Sequence, residues 1–329
     1  MPSPSAISSN GDPPSRPSVL TNTRRAAIDV GTNTVRLLVV EGDTPDDVRI
    51  VHEDQVITRL GHGLTSGGPL HPESARRTLA AVSRFADAAL AEGAREVLVV
   101  GTSALRQARD RGGFAEALRE ATGLDLLVVS GEDEARLALL GTRWGAGIPP
   151  RFLLMDIGGG STELVVADGD AVDAAVSLPL GAVHLTEAFL TRDPVDGEEY
   201  ATLGGEIRRQ LGPVLPGLVR GVPAPVVGTA GTVTTLAALD LALPSYDPRR
   251  VQGHQLRRSG IEALLRRLAP LPVAERAKIP CLEPGRADLI IAGIAVCLEV
   301  LTGVGADRLI VSDYGLREGI LLDRLRRAP

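Results

Sequence analysis

The chain has 329 residues, of which 44% are hydrophobic and 23% are charged, and its net charge is -6 at pH 7. This composition fits a globular protein of about two domains, and the negative charge gives no reason to expect a nucleic-acid-binding surface. Lys278 is the only lysine and no GxxxxGK[ST] string occurs, which excludes a lysine-bearing P-loop.

The beginning of the chain is low in complexity. Residues 1–18 include eleven prolines and serines, which predicts a disordered tail, placed at residues 1–23, and not a signal peptide. No apolar run reaches the roughly 18 residues that a membrane helix needs. Two widely separated cysteines, Cys281 and Cys297, are typical of a reduced compartment. We therefore expect a cytoplasmic protein that binds neither membranes nor nucleic acid.

Two motifs recur along the chain with one common displacement. "IDVGTNTVRLLVV" (28–40) matches "MDIGGGSTELVVA" (155–167), and "VVGTSALRQA" (99–108) matches "VVGTAGTVTT" (226–235), so that Gly31 maps onto Gly158 just as Gly101 maps onto Gly228. Two unrelated motifs with the same displacement indicate homologous halves. Each half is predicted to run strand, Asp-x-Gly turn, strand, helix, and a further strand that ends in Gly-Thr. In the first half the helix is predicted to begin at Pro72 and to end near Gly93.

A third strand-to-helix junction appears as "LLVVSGEDEARLALL" (126–140) and "LIVSDYGLREGILL" (309–322), with a larger displacement than the first two motifs. The second half therefore carries roughly 55 extra residues, which we place between Leu239 and Ala295. The predicted α/β domains are 24–145 and 146–329, each with a largely parallel sheet and some antiparallel hairpins. A last amphipathic helix, at about 316–326, is expected to pack back on the first half.

The glycine turns of the two halves are expected to face one cleft. Backbone N–H groups in such turns, and at the N-termini of helices, bind phosphate. A hairpin turn without a ligand is the alternative, and Arg106 is either a phosphate clamp or a solvated side chain. The phosphate-binding candidates from these motifs are Thr32, Asn33, Thr34, Gly158, Gly159, Gly160, Ser161, Gly228 and Thr229.

Carboxylates flank the second glycine turn. Asp156 and Glu163 offer the oxygen ligands that a hard cation such as Mg²⁺ requires, and Asp29, the counterpart of Asp156, completes the predicted metal set. The five histidines show no ligand spacing, so surface or core roles are expected for them.

The stretch "SGEDEARLALL" predicts a helix that is capped by Ser130. Asp133 stands three residues after Ser130, where the acid of a capping box belongs, so Glu134 has no local role. It lies at the cleft-facing end of a strand, where a carboxylate could accept a proton from water. The alternative is that the acids of this turn only stabilise the helix dipole.

The chain resembles the exopolyphosphatase / guanosine pentaphosphate phosphohydrolase (Ppx/GppA) family from about Ala26 to Leu322. The matching blocks are "AIDVGTNTVRLLV", "VVGTSALRQA", "SGEDEARLALLG", "MDIGGGSTELVV", "SLPLGAVHLTE", "GTAGTVTTLAAL", "GRADLIIAGI" and "VSDYGLREGIL". The resemblance implies two ribonuclease-H-like domains facing across a cleft, as in actin, sugar kinases and heat-shock chaperones. The chain resembles the short members of the family, which lack the helical HD-type C-terminal domain. This resemblance implies a preference for shorter polyphosphate chains.

The resemblance also assigns roles to residues. Asp156 and Glu163 fall on positions tied to Mg²⁺, and Glu134 falls on the position proposed to activate water. The segments "DVGTN" (29–33) and "DIGGGSTE" (156–163) match the phosphate-binding hairpins, and Arg106 and 228–232 match further phosphate-contacting segments. These matches add Gly31, Gly231 and Thr232 to the phosphate-binding candidates.

The leading hypothesis is a Mg²⁺-dependent exopolyphosphatase that releases terminal orthophosphate from linear polyphosphate. The alternative is a guanosine pentaphosphate 5′-phosphohydrolase of the stringent response, although an aromatic content of only 2% gives few rings to stack a guanine. A phosphotransferase of the same superfold and a non-catalytic sensor are less favoured. The sequence leaves open whether the chain forms a homodimer.

Overall fold

The computed structural model describes residues 23–145, 147–169, 171–218 and 225–327. The predicted tail, 1–23, lies outside these residues except for Thr23. Within the described ranges, no helix is both long enough and apolar enough to cross a membrane.

The first half forms a five-stranded sheet in the order β3-β2-β1-β4-β5. Its strands are β1 (Arg24–Val30), β2 (Thr34–Glu41), β3 (Arg49–Ile57), β4 (Glu96–Gly101) and β5 (Leu126–Val128). Its helices are α1 (Pro72–Ala91), α2 (Ser103–Gln107), α3 (Arg111–Thr122) and α4 (Gly131–Trp144). Helix α1 begins at Pro72 as predicted and buries Val82, Ala86 and Ala89 in the core of this half.

The second half forms a six-stranded sheet in the order β10-β11-β9-β6-β7-β8. Its strands are β6 (Arg151–Ile157), β7 (Thr162–Asp168), β8 (Ala171–Leu178), β9 (Val226–Thr229), β10 (Gln255–Arg257) and β11 (Arg308–Val311). Its helices are α5 (Ala182–Phe189), α6 (Gly197–Leu211), α7 (Leu215–Leu218), α8 (Ala230–Asp240), α9 (Pro248–Val251), α10 (Arg258–Leu268), α11 (Val273–Arg276), α12 (Ile290–Gly303) and α13 (Leu316–Arg326), with a 3₁₀ turn at Pro284–Arg286.

The α/β class is confirmed, but the expectation of largely parallel sheets is wrong. In both halves a three-stranded antiparallel meander, β1-β2-β3 and β6-β7-β8, is extended by parallel strands, and in the second half β10 adds a further antiparallel edge strand. The third strand of each meander escapes prediction, because an edge strand with few buried side chains leaves only a weak apolar pattern in the sequence. The segment from α9 to the 3₁₀ turn lies within the predicted insertion of the second half.

Helices α4 and α13 lie between the two sheets, each on the sheet of the other half. Helix α4 packs Ala138 and Leu139 in the core formed with β6 and β7, whereas α13 packs Ile320 and Leu321 in the core formed with β1 and β2. The two helices touch backbone to backbone: a methyl group on Gly319 of α13 would lie 1.8 Å from the carbonyl oxygen of Leu137 of α4. The two domains are therefore joined by an exchanged helix pair.

Candidate active site

The two predicted glycine turns have the same hydrogen-bonded form. In the first, the N–H of Gly31 donates to the carbonyl of Thr34 at 3.1 Å, and in the second the N–H of Gly158 donates to the carbonyl of Ser161 at 2.9 Å. The turns face each other closely, since a methyl group on Gly160 would lie 2.5 Å from Oγ1 of Thr32. Glycine is therefore required at Gly160 by the approach of the opposite turn.

A cleft of about 440 Å³ lies between the two domains. Three of the predicted site residues do not line it: Arg106, Glu163 and Gly228. Gly228 lies within β9, where a methyl group would be 2.9 Å from the side chain of Val233, so the structure gives it a packing role. The predicted residues that do line the cleft are Asp29, Gly31, Thr32, Asn33, Thr34, Glu134, Asp156, Gly158, Gly159, Gly160, Ser161, Thr229, Gly231 and Thr232.

Asp29 and Asp156 occupy equivalent places at the ends of β1 and β6. Burial raises the pKa of Asp29 to about 7 and that of Asp156 to about 6, and in both cases the guanidinium of Arg36 partly opposes the effect. Oδ1 of Asp29 is buried and has no hydrogen-bond partner. A nearby positive charge stabilises the ionised form of carboxylates that are buried in this way. Asp29 and Asp156 are therefore suited to bind a cation.

Glu163 lies behind this pair, away from the cleft. It stands directly opposite Asp156 in the β6-β7 ladder, and its carboxylate accepts a hydrogen bond from Oγ of Ser177 on β8 at 2.7 Å. Burial, together with the charges of Glu134 and Asp156, raises the pKa of Glu163 well above its usual range. The matching block "SLPLGAVHLTE" begins at Ser177 but gives it no role, because its pairing with Glu163 is set by the register of β8 on β7.

Glu134 lies in the first turn of α4 and lines the cleft. The cap is formed as predicted, with Oγ of Ser130 accepting from the N–H of Asp133 at 3.0 Å. Glu134 is instead turned inward and paired with Nη1 of Arg106, which also donates to the carbonyl of Val129 at 3.2 Å. Burial raises the pKa of Glu134 to about 7, although Arg106 lowers it in part. In this arrangement Arg106 holds the carboxylate in place.

Within the described residues, no cluster of three or more His, Cys, Asp or Glu side chains is arranged to hold a metal ion alone. Mg²⁺ commonly takes only one or two carboxylates and fills its other positions with water and substrate phosphate. The two acidic strand ends that line the cleft, Asp29 and Asp156, fit that mode of binding.

Three arginines of the cleft lie outside the predicted set: Arg36, Arg286 and Arg317. Arg36 stands opposite Asp29 in the β1-β2 ladder, and burial together with Arg286 and Arg317 lowers its pKa. Arg36 could have been found from the sequence. The displacement that relates the two glycine turns places it at the position that matches Glu163, which is already a site candidate. The other two come from segments without a counterpart at that displacement, and only the fold brings them together.

The two-domain fold and the facing glycine turns define a protein of the actin-like, duplicated ribonuclease-H superfold whose cleft is suited to bind phosphate. The model of the Ppx/GppA phosphatase family matches residues 38–328. The chain belongs to this family.

Curated relatives match over nearly the whole chain. Exopolyphosphatase 2 of Mycobacterium tuberculosis is 34% identical over 315 residues, which cover 91% of this chain and 98% of the relative. Exopolyphosphatase 1 of the same organism is 32% identical and covers 92% of this chain and 88% of its own length.

Solved structures agree with the fold. The Ppx/GppA family member of Aquifex aeolicus has a TM-score of 0.78 at 33% identity, covering 93% of this chain and 98% of its own. An exopolyphosphatase from Cytophaga hutchinsonii has a TM-score of 0.86 at 25% identity, covering 93% and 99%. The predicted fold of two ribonuclease-H-like domains facing across a cleft is thereby confirmed.

Proposed function

We propose that the protein is an exopolyphosphatase that removes the terminal phosphate from linear polyphosphate, with short chains preferred, and releases orthophosphate. The observation that carries the proposal is a cleft in which two opposed glycine turns stand beside buried carboxylates and three arginines. Turn N–H groups and guanidinium groups both bind phosphate oxygens. The names of the relatives support the same activity, and the two free cysteines, Cys281 and Cys297, suit the cytoplasm.

Glu134 is the proposed base. Its pKa of about 7 suits proton transfer near neutral pH, and Arg106 keeps its carboxylate directed toward the cleft. The oxygen of a water molecule bonds to the terminal phosphorus, the bond from that phosphorus to the bridging oxygen breaks, and Glu134 takes a proton from the water. The N–H groups of Gly31 and Gly158 close their own turns, so the other N–H groups of residues 32–34 and 159–161 would stabilise the charge on the oxygens of the transferred group.

The proposed cofactor is Mg²⁺. Asp29 and Asp156 would hold it at the cleft. Glu163, which accepts a hydrogen bond from Ser177, would add negative charge beside Asp156 without lining the cleft. When bound, a divalent cation neutralises charge on the terminal phosphate.

The direct test is to incubate the protein with Mg²⁺ and linear polyphosphates of defined length and to follow the products with time. Two facing turns can hold a chain end, so we expect orthophosphate from the start and chains that shorten gradually. Fragments of intermediate length that appear before orthophosphate would contradict removal from the end.

Guanosine pentaphosphate is the second candidate substrate, and Tyr246 is the observation in its favour. Among the described residues that line the cleft, Tyr246 is the only Phe, Tyr or Trp. Its hydroxyl donates a hydrogen bond to the carboxylate of Asp313. A fixed ring can stack a base, whereas polyphosphate has none. Tyr246→Ala should reduce phosphate release from guanosine pentaphosphate and leave release from polyphosphate unchanged if the nucleotide is a substrate.

A further inference from the structure

One short segment of the first domain is attached to the first glycine turn. After β3, the N–H groups of Thr58 and Arg59 donate to the carbonyl of Asn33 at 3.0 and 2.9 Å, and the N–H of Gly61 donates to that of Thr32 at 2.8 Å. Arg59 has a φ of 53°, so its backbone is held in the left-handed region. Because of these main-chain hydrogen bonds, the segment and the first glycine turn must move together.

The second domain has an equivalent attachment. At the start of α5, the N–H of Ala182 donates to the carbonyl of Gly158 at 3.0 Å, and the N–H of Val183 donates to that of Gly159 at 2.8 Å. Leu289 forms one small buried cluster with Ala182 and Val183. Helix α5 and the segment around Leu289 therefore move with the second glycine turn.

Polar contacts between the two domains join these two attachments outside the cleft. Nη2 of Arg59 lies 2.6 and 2.8 Å from the carboxylate oxygens of Asp288. Nδ1 of His62 lies 2.7 Å from the carboxylate of Glu187 on α5, to which the N–H of Gly63 also donates at 3.1 and 3.2 Å. We call these five residues the interdomain clasp.

We infer that the interdomain clasp sets the spacing between the two phosphate-binding turns, and that Arg59, Asp288 and Glu187 are positioning residues for the reaction. None of the five clasp residues lines the cleft, but the segment after β3 and helix α5 are each bonded to one turn through main-chain hydrogen bonds. The clasp side chains are partly exposed, with Arg59 at 34% and Asp288 at 25%, so the contacts are weak enough to break and re-form. The kinetic part of this inference rests on the proposed function.

Charge reversal tests the clasp. Arg59→Asp and Asp288→Arg each place two like charges within the clasp, and the double variant restores an opposite pair. Aspartate tolerates left-handed backbone, so Arg59→Asp keeps the local fold. Arg76→Asp is the matched control, because Arg76 pairs with Glu73 on the exposed surface of α1.

Each single reversal should raise KM for polyphosphate about tenfold with kcat changed less than about twofold, because the competent closed state is less populated until substrate bridges the turns. The double variant should return KM toward the wild-type value, and the control should match wild type. Unchanged KM in both single variants, or a loss of kcat and melting temperature that the double variant does not rescue, would overturn the inference.

Small-angle scattering of the protein without substrate gives a readout that does not depend on the proposed activity. The single reversals should increase the radius of gyration, and the double variant should reverse the increase. If wild type fails to cleave polyphosphate but scattering follows this pattern, the proposed function is wrong and the clasp stands. If the radius of gyration is the same in all variants, the clasp is wrong.

Discussion

Replacing Glu134 with glutamine should slow the reaction and stabilise the protein at the same time. The substitution keeps the size of the side chain and its ability to accept from Arg106, but removes the proton-accepting carboxylate. Loss of a general base costs about 10² to 10⁴ in rate. We expect Glu134→Gln to lose at least about 10² in kcat, with little change in KM.

The gain in stability follows from the buried carboxylate. Its folded-state pKa is raised from 4.5 to about 7, so the folded protein favours the protonated form. The free energy of unfolding is therefore highest below pH 4.5, where Glu134 is protonated in both states. It falls by about 3 kcal/mol as the pH rises through 7 and the buried carboxylate ionises. Glutamine is neutral at every pH, so the variant should melt about 5 °C higher than wild type at pH 8 and nearly equally at pH 5.

The assays are orthophosphate release at saturating polyphosphate and thermal unfolding without substrate or metal at the two pH values. Asp133→Asn is the matched control on the neighbouring residue. Asp133 accepts from Oγ of Ser130 at 2.8 Å, so its loss should cost about 0.5–1 kcal/mol of stability and leave most of the activity. The reasoning fails if Glu134→Gln keeps activity within tenfold of wild type, or if Asp133 proves essential instead.

Three further predictions concern the rest of the site. Asp156→Asn and Glu163→Gln should each abolish phosphate release while the protein stays folded by circular dichroism; wild-type activity and Mg²⁺ dependence in both would show that Asp156 does not hold the cation and that Glu163 does not support its site. Arg286→Ala should raise KM for polyphosphate about 10- to 100-fold and change kcat less, as expected for a lost charge-assisted hydrogen bond to phosphate, and an unchanged KM would remove it from the binding site. Gly160→Ala should inactivate the enzyme because its methyl group would meet Thr32 at 2.5 Å, and near-normal kcat/KM would mean that the turns can separate without harm.

The repeat in the sequence predicts much of this architecture. One shared displacement locates both glycine turns and Asp29 and Asp156 beside them, because turn chemistry is local and leaves its mark on a few neighbouring residues. The same displacement places Arg36 and Glu163 at equivalent positions. The two halves therefore differ in charge at one matched position, with Asp opposite Arg in one ladder and Asp opposite Glu in the other.

Other parts of the site depend on long-range contacts that a sequence pattern does not encode. Arg106 stands one turn into a helix, which makes it a candidate, yet its partner is Glu134, 28 residues away. Arg286 and Arg317 reach Arg36 from separate segments of the second half. Strands β3 and β8 escape prediction because edge strands carry few buried side chains, and the pairing of Ser177 with Glu163 escapes with them.

The exchanged helix pair has a consequence for how the chain folds as it leaves the ribosome. Helix α13, which covers one face of the first sheet, is synthesised after every strand of both sheets. Until it emerges, Ala27, Leu38 and Val40 lack the apolar side chains of Ile320 and Leu321 that bury them. The first half therefore cannot complete its core during synthesis, and the nascent chain exposes an apolar sheet face for most of translation.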